Sequence, residues 1–214
     1  MLQQWLVDYC HDVIHGEVVA CQKHIWACQR FLSDLSRQGT DDFPYVFSEI
    51  KAQRFLDWMM LFKHRKGVLQ GQKIVPHDIQ AFIFGNIYGW IHKDTGYRRF
   101  NKAYWQVGRK NAKSQSLAIT GLYETMALGE SAAETYCAAT KTEQAKIVWE
   151  EAEWLLNNCE DLQGKYKVSY GRVHHMKSGS IMRPLSKEDR KSGDGYNPQC
   201  GIIDGISSPM SETA

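Results

Sequence analysis

The sequence predicts an α/β fold, a mostly parallel sheet with helices on both faces, preceded by an N-terminal helical region. Three observations lead there. Apolar residues recur at helical spacing through most of residues 2–90. Beyond Val107, short apolar runs alternate with helical ones, the order that builds parallel sheets covered by helices. Between a short apolar run, 103–107, and a helical one, 115–127, stands the octet V-G-R-K-N-A-K-S, Val107 to Ser114. A strand, a loop ending in lysine and serine, and then a helix form the setting in which such a loop binds phosphate.

Taken in order, residues 2–37 place Trp5, Leu6, Tyr9, Val13, Val18, Val19, Ile25, Trp26, Phe31, Leu32 and Leu35 at helical intervals, with Gly16 as a break between two helices. His11 and His15, four apart, share a face but have no H-E-x-x-H pattern, and read as surface or packing residues. After the Gly39–Asp42 turn and Phe43-Pro44-Tyr45, residues 48–63 form an amphipathic helix with Ser48 as N-cap. Residues 64–73 read as a loop punctuated by Gly67 and Gly71. Residues 76–90 read as helical, with Pro76 near the start where its missing N–H does no harm, although Gly85 and Gly89 weaken the pattern. Further on, 133–139 is a strand and 142–157 a strong helix. Residues 166–174 and 180–184 suggest short strands, 187–195 a charged glycine-punctuated loop, and 201–204 a buried strand ending in an acid.

The octet departs from the usual G-x-x-x-x-G-K-[ST]: Val107 and Ala112 stand at the two glycine positions. An L-residue at the second costs roughly 1 kcal/mol or more where φ must be positive. What remains is the chemistry of phosphate binding. Backbone N–H groups of Gly108, Arg109, Lys110, Asn111 and Ala112 lead into a helix N-terminus, whose dipole favours negative charge. Lys113 adds a point charge, and the hydroxyl of Ser114 suits a magnesium shell. The same shell requires an acid at the end of a neighbouring strand, and Asp204, after Gly201-Ile202-Ile203, fits that place. A strand-end aspartate in an ordinary turn looks the same. The glutamate expected next to it, to orient or deprotonate water, is absent: position 205 is glycine.

Composition narrows the classes. At 214 residues with 43% hydrophobic side chains the chain can bury a real core. It has no run of 18 apolar residues and no basic-then-apolar leader, so a cytoplasmic location is expected, with no membrane. Its six cysteines lack C-x-x-C spacing and read as reduced thiols rather than zinc ligands. Net charge is only +2, but Lys93, Arg98, Arg99, Lys102, Arg109, Lys110 and Lys113 face a single acid, Asp94, in that stretch. A basic run alone is commonly a solvated face; beside a phosphate loop it points to a polyanion.

Several segments, in order, carry a family resemblance. Val13-Ile14-His15-Gly16, Ala27-Cys28-Gln29-Arg30 and Asp34-Leu35 resemble a leader region; Ile79-Gln80-Ala81-Phe82-Ile83 with Tyr88-Gly89-Trp90 resembles an adenine-recognition segment. Gly96-Tyr97-Arg98-Arg99-Phe100 leads into the loop, Ala138 to Ala145 (A-A-T-K-T-E-Q-A) resembles a second motor segment, and Asp194-Gly195-Tyr196-Asn197-Pro198 to Asp204 resembles the approach to the magnesium strand. Together they are similar to the N-terminal part of the large subunit of tailed-bacteriophage terminases, of the type whose loop reads R-K-N-G-K-S. The resemblance implies a P-loop NTPase that uses ATP and Mg to drive double-stranded DNA into a procapsid, in a bacterial host's cytoplasm. A terminase small subunit, a portal protein and a homo-oligomeric ring are the implied partners.

By the same resemblance Gln80 contacts adenine, Lys113 and Ser114 bind phosphate and magnesium, and Arg109 is the loop arginine tied to hydrolysis; Lys113, Arg109 and Asp204 are the expected catalytic set. Guanidinium suits that role because it grips two phosphate oxygens in a planar fork. Read alone, Gln80 is also what a surface polar position looks like, and Arg109 what a DNA contact looks like. The expected division is a helical lid region over 1–95 and a partial ATPase core over 96–214, truncated before the family's nuclease domain. Gly205 departs from the family's I-D-E, so whether this chain is an ATP hydrolase stays open, with impaired hydrolysis expected. The alternative is an inactive fragment that only docks on partners. A helicase of the same fold would need D-E-x-[DH], which Gly205 argues against.

Overall fold

Leu2, Leu6, Tyr9, Cys10 and Val13 fall on one face of the first helix and are all buried, so α1 (Leu2–His15) forms as an amphipathic helix. Gly16 ends it in the left-handed conformation, φ 86°, which costs glycine little. α2 (Gln22–Ser36) buries Cys28, Phe31 and Asp34. The structure, a computed structural model, describes residues 1–108, 110–138, 142–185 and 197–204. Arg109, the 139–141 part of the second motor segment, the charged loop 187–195 with Asp194-Gly195-Tyr196, and Gly205 onward lie outside the described residues.

The chain divides into two compact units, Met1–Met60 with Val75–Gln106, and Leu61–Ile74 with Val107–Ala214. The first unit adds β1 (Tyr45–Phe47), α3 (Glu49–Met60), α4 (Asp78–Gly89) and β2 (Trp90–His92). Ser48 starts α3, its Oγ accepting from Lys51 N at 3.3 Å. β1 and β2 pair antiparallel, Phe47 opposite Trp90. The sequence reading missed this two-stranded sheet, since three residues are too few to show an alternation. Its core is aromatic: Trp90 is fully buried, with Phe31, Phe43 and Phe47 edge-on to it at 5.5–6.1 Å between ring centroids. Phe55 stacks between Phe84 and Tyr88 at 4.6 and 4.4 Å. Gly85 and Gly89, awkward for the helix pattern, are explained by packing: a Cβ would lie 2.9 Å from Leu6 Cδ1 at the first and 2.5 Å from Phe47 Cε2 at the second.

In the second unit, α5 (Lys113–Leu122), β3 (Glu134–Ala138), α6 (Thr142–Asn157), β4 (Tyr166–Ser169), β5 (Arg172–His175), β6 (Ile181–Pro184) and β7 (Pro198–Ile203) follow one another. The sheet order is β4-β5-β6-β3-β7. β3 pairs parallel with both β6 and β7, and β4, β5 and β6 continue it antiparallel. α5 and α6 pack on each other and on this sheet. The result is an α/β sheet of P-loop NTPase type, with a parallel centre and an antiparallel wing.

Two expectations are corrected. Residues 103–107 do not form a strand: among the described residues no ladder bond holds them, Tyr104 is 77% exposed, and Val107 O accepts from Lys113 Nζ instead of from a neighbouring strand. β7 is not a buried strand. It lies at the edge of the described sheet, with Ile202 3% and Ile203 55% exposed, because only one of its faces is covered. The helix expected over 115–127 runs from Lys113 to Leu122 and continues as a π-helical turn, Tyr123–Ala127. There Thr125 Oγ1 donates to Gly121 O at 2.7 Å, a back-bond that loosens the regular ladder. Among the described residues no helix is long and apolar enough to cross a membrane.

Candidate functional site

Two side-chain-to-backbone hydrogen bonds organise the loop ahead of α5. Lys113 Nζ donates to Val107 O at 3.1 Å, and Asn111 Nδ2 donates to Gly108 O at 3.2 Å, so the lysine near the end of the octet is tied back to its first residue. The backbone turns through the left-handed region twice, at Lys110 (φ 66°) and Ala112 (φ 52°). Those angles are what glycine usually supplies in such a loop; here two L-residues adopt them against a steric cost of about 1–2 kcal/mol each. Ala112 is the N-cap of α5, and its carbonyl accepts from Ser116 N at 2.9 Å, which starts the helical ladder. The loop therefore ends on the open N–H groups of a ten-residue helix.

The neighbouring strand delivers the carboxylate. Ala138 on β3 stands opposite Ile203 on β7, and Asp204 N donates to Ala138 O at 3.2 Å, so the acid sits at the C-terminal ends of the parallel strands. Side chains alternate along a strand, so Ile202 and Asp204 share a face. That face is turned to α5: a Cβ on Gly121 would lie 2.8 Å from Ile202 Cδ1 and 2.6 Å from Met182 Cε. Gly121 thus lets α5 settle closely on β6 and β7. With the helix so placed, Ser114 Oγ donates to Asp204 Oδ2 at 2.7 Å, across 90 positions of sequence. The sequence singled out Ser114 and Asp204 but passed over Gly121. A glycine seven positions into an otherwise good helix was the available signal.

Gln80 belongs to the other unit. It is 7% exposed, and its Oε1 accepts from His77 N at 3.0 Å, closing the first turn of α4. It is therefore a buried helix-capping residue rather than a surface polar one. Lys110, Asn111 and Ala112 stand in the loop with Lys113 and Ser114, and Arg109 lies outside the described residues. The donor set suits a hard cation: a serine hydroxyl and a carboxylate, both oxygen, already in contact. No disulfide joins any of the six cysteines; Cys137, inside β3, has its thiol pushed up to about 12 by burial.

A sheet with a parallel centre, a loop that leads into a helix N-terminus and an acid at the adjoining strand end fit the P-loop NTPase type of α/β fold. The family model described as terminase large subunit, ATPase domain, matches residues 78–213. The chain belongs to that family. Among solved structures, it is similar to the large terminase of bacteriophage HK97, at 20% identity and TM-score 0.59, over 72% of this chain and 30% of that one. The chain thus spans less than a third of the length of that protein. The ATPase domain of the large terminase of Thermus phage P74-26, and an arginine-to-alanine mutant of it, align at 18% identity over 45% of this chain and 44% of theirs, with TM-score 0.37. No curated protein matches the sequence.

Proposed function

We propose that this chain is the ATP-binding portion of a DNA-packaging motor, of the type with an R-K-N insert in its phosphate loop, and that it binds ATP with Mg but turns it over slowly. The observation that carries the proposal is the 2.7 Å contact between Ser114 and Asp204. A hydroxyl at the first turn of the loop helix and a carboxylate at a strand end are the two protein oxygens such a site places around magnesium. In this reading residues 96–214 supply the core and 1–95 the lid. Lys113 exchanges its bond to Val107 O for a phosphate oxygen, while Lys110, Asn111 and Ala112 present backbone N–H groups to it. Arg109 pairs with the terminal phosphate, and Gln80 reads the adenine. Magnesium, when bound, neutralises phosphate charge. The chain's own residues hold the nucleotide and aim it.

Slow turnover follows from sequence. Position 205 is glycine, and losing a positioned general base lowers rate on the order of 10²–10⁴-fold. Double-stranded DNA, gripped through its phosphates without sequence preference, is the substrate of translocation in this reading. A portal, a small subunit and further copies of the chain in a ring complete the assembly. The test is titration with a fluorescent ATP analogue and Mg. Lys113→Ala should weaken binding roughly 10–100-fold, the worth of a charge-assisted hydrogen bond. Absence of binding at millimolar analogue would overturn the nucleotide reading. Steady hydrolysis lost in Lys113→Ala would instead overturn the slow-turnover part.

A further inference from the structure

Between α3 and α4 the chain leaves the first unit at Leu61, enters the second, and returns at Val75. The excursion is an ordered hairpin. Phe62 and Ile74, at its root, are buried, and Ile74 N donates to Phe62 O at 2.9 Å. His64 N then donates to Gln72 O at 2.9 Å and Gly71 N to His64 O at 2.8 Å, with Gly67 and Gly71 turning through positive φ near the tip. Arg65 anchors one side on α6, donating to Glu151 Oε2 at 3.3 Å.

The charge on this hairpin is one-signed. Residues 61–74 contain Lys63, Arg65, Lys66 and Lys73, with His64 and no acid. Only Arg65 has an ion pair among the described residues. Lys63 and Lys73 are antiparallel bridge partners, and the bonds on either side of them make theirs the non-hydrogen-bonded pair, the arrangement with the closest side chains. Like charges placed directly opposite in a ladder repel, and a fold seeking only stability would not set them there. A polyanion lying across the hairpin removes that repulsion.

We infer that the hairpin 61–74 is a phosphate-gripping element for duplex DNA, with Lys63, Lys66 and Lys73 as its contacts. The choice of DNA over an acidic protein rests on the packaging reading. It also fits the residue type, since lysine is a point charge that grips evenly spaced phosphates without orientation. This places a DNA contact outside the basic run of 93–113.

The test is fluorescence anisotropy on a random-sequence duplex, with the whole chain, across a series of salt concentrations. In Lys63→Thr/Lys66→Ser/Lys73→Thr the log–log salt slope should flatten by about 2 to 3, each phosphate contact contributing about 0.9. Affinity at moderate salt should drop about tenfold or more, with the thermal midpoint unchanged or higher, because repulsion has been relieved. A triple variant that stays folded and matches the parent in slope overturns the inference. So does a Lys102→Ser variant that takes the whole salt effect, or a triple variant that loses binding to polyglutamate but keeps DNA. If the parent chain binds no duplex at any salt, the DNA part of the packaging reading fails with it, while nucleotide binding remains judged by Lys113→Ala.

Discussion

In the unit of Met1–Met60 and Val75–Gln106, Trp90 is sealed among phenylalanines and Asp34 is 1% exposed between two arginines. In the unit that holds the loop, Lys113 and Ser114 are half-buried at the mouth of a sheet, on backbone that passes twice through positive φ. The first arrangement spends its interactions on fixing rings and charges in one packing. The second keeps polar groups near solvent and tolerates strained backbone, as a region must if its groups are to exchange internal partners for a ligand. The lesson is that the two units should respond differently to the same kind of substitution.

The sharpest way to break that contrast is to remove the buried charge. Asp34 Oδ1 accepts from Arg37 Nη2 at 2.7 Å, and Asp34 Oδ2 accepts from Arg99 Nη1. The Arg99 guanidinium lies over Phe43 at 4.6 Å and Phe100 at 4.7 Å, so it cannot leave for water without giving up those rings. Asp34→Ala strands a half-sequestered cation, and breaking such a pair costs about 3–5 kcal/mol. Urea unfolding of the variant is the measurement. A loss under about 1 kcal/mol would mean that the rings alone hold this unit, and that the ion pair is incidental.

How far each unit could be read from sequence follows the same division. Helices α1, α3, α4 and α6 were legible because one face of each must be apolar over three or more turns. Asp34 and Arg99 were not: 65 positions apart, nothing local signals that they meet. In the loop unit Lys113, Ser114 and Asp204 were singled out as residue types in a pattern, and the structure brings Ser114 and Asp204 into contact. The 2.7 Å contact itself depends on Gly121, on the β3–β7 register and on the alternation of Ile202 and Asp204, and those are properties of packing. The 103–107 run misled because a short apolar stretch does not show that a partner strand exists to bury it.

Matched glycines give a second, smaller test. At Gly89 an added methyl would meet the Phe47 ring at 2.5 Å, with two more ring atoms at 2.9 and 3.0 Å. Phe47 is itself wedged against Phe31 at 5.4 Å and Trp90 at 5.5 Å. Gly89→Ala should therefore cost about 1–3 kcal/mol, the usual effect of overpacking. At Gly121 the contacts are as short, 2.6 Å to Met182 Cε and 2.8 Å to Ile202 Cδ1, but a methionine end can swing away. Alanine also gains about 0.5–1 kcal/mol over glycine in a helix interior. Gly121→Ala should come out milder, within about 1 kcal/mol of the parent by thermal denaturation. The reverse order would show that the sheet side of α5 is the less forgiving surface.

The smallest expected effect lies in the loop, and it has the opposite sign. Ala112 holds φ 52° and ψ 23°, a left-handed conformation that an L-residue adopts at about 1–2 kcal/mol. Ala112→Gly removes that cost but adds the backbone entropy of glycine in the unfolded chain, about 0.5–1 kcal/mol. The balance favours the variant by roughly 0.5 kcal/mol, a rise in midpoint where the substitutions above give a fall or no change. Removing the methyl also opens the approach to the N–H groups ahead of α5, so an ATP analogue should bind on the order of twofold more tightly as well. If the variant is less stable and binds no better, then the strain at Ala112 is not what limits this loop, and the rest of the octet sets its shape unaided.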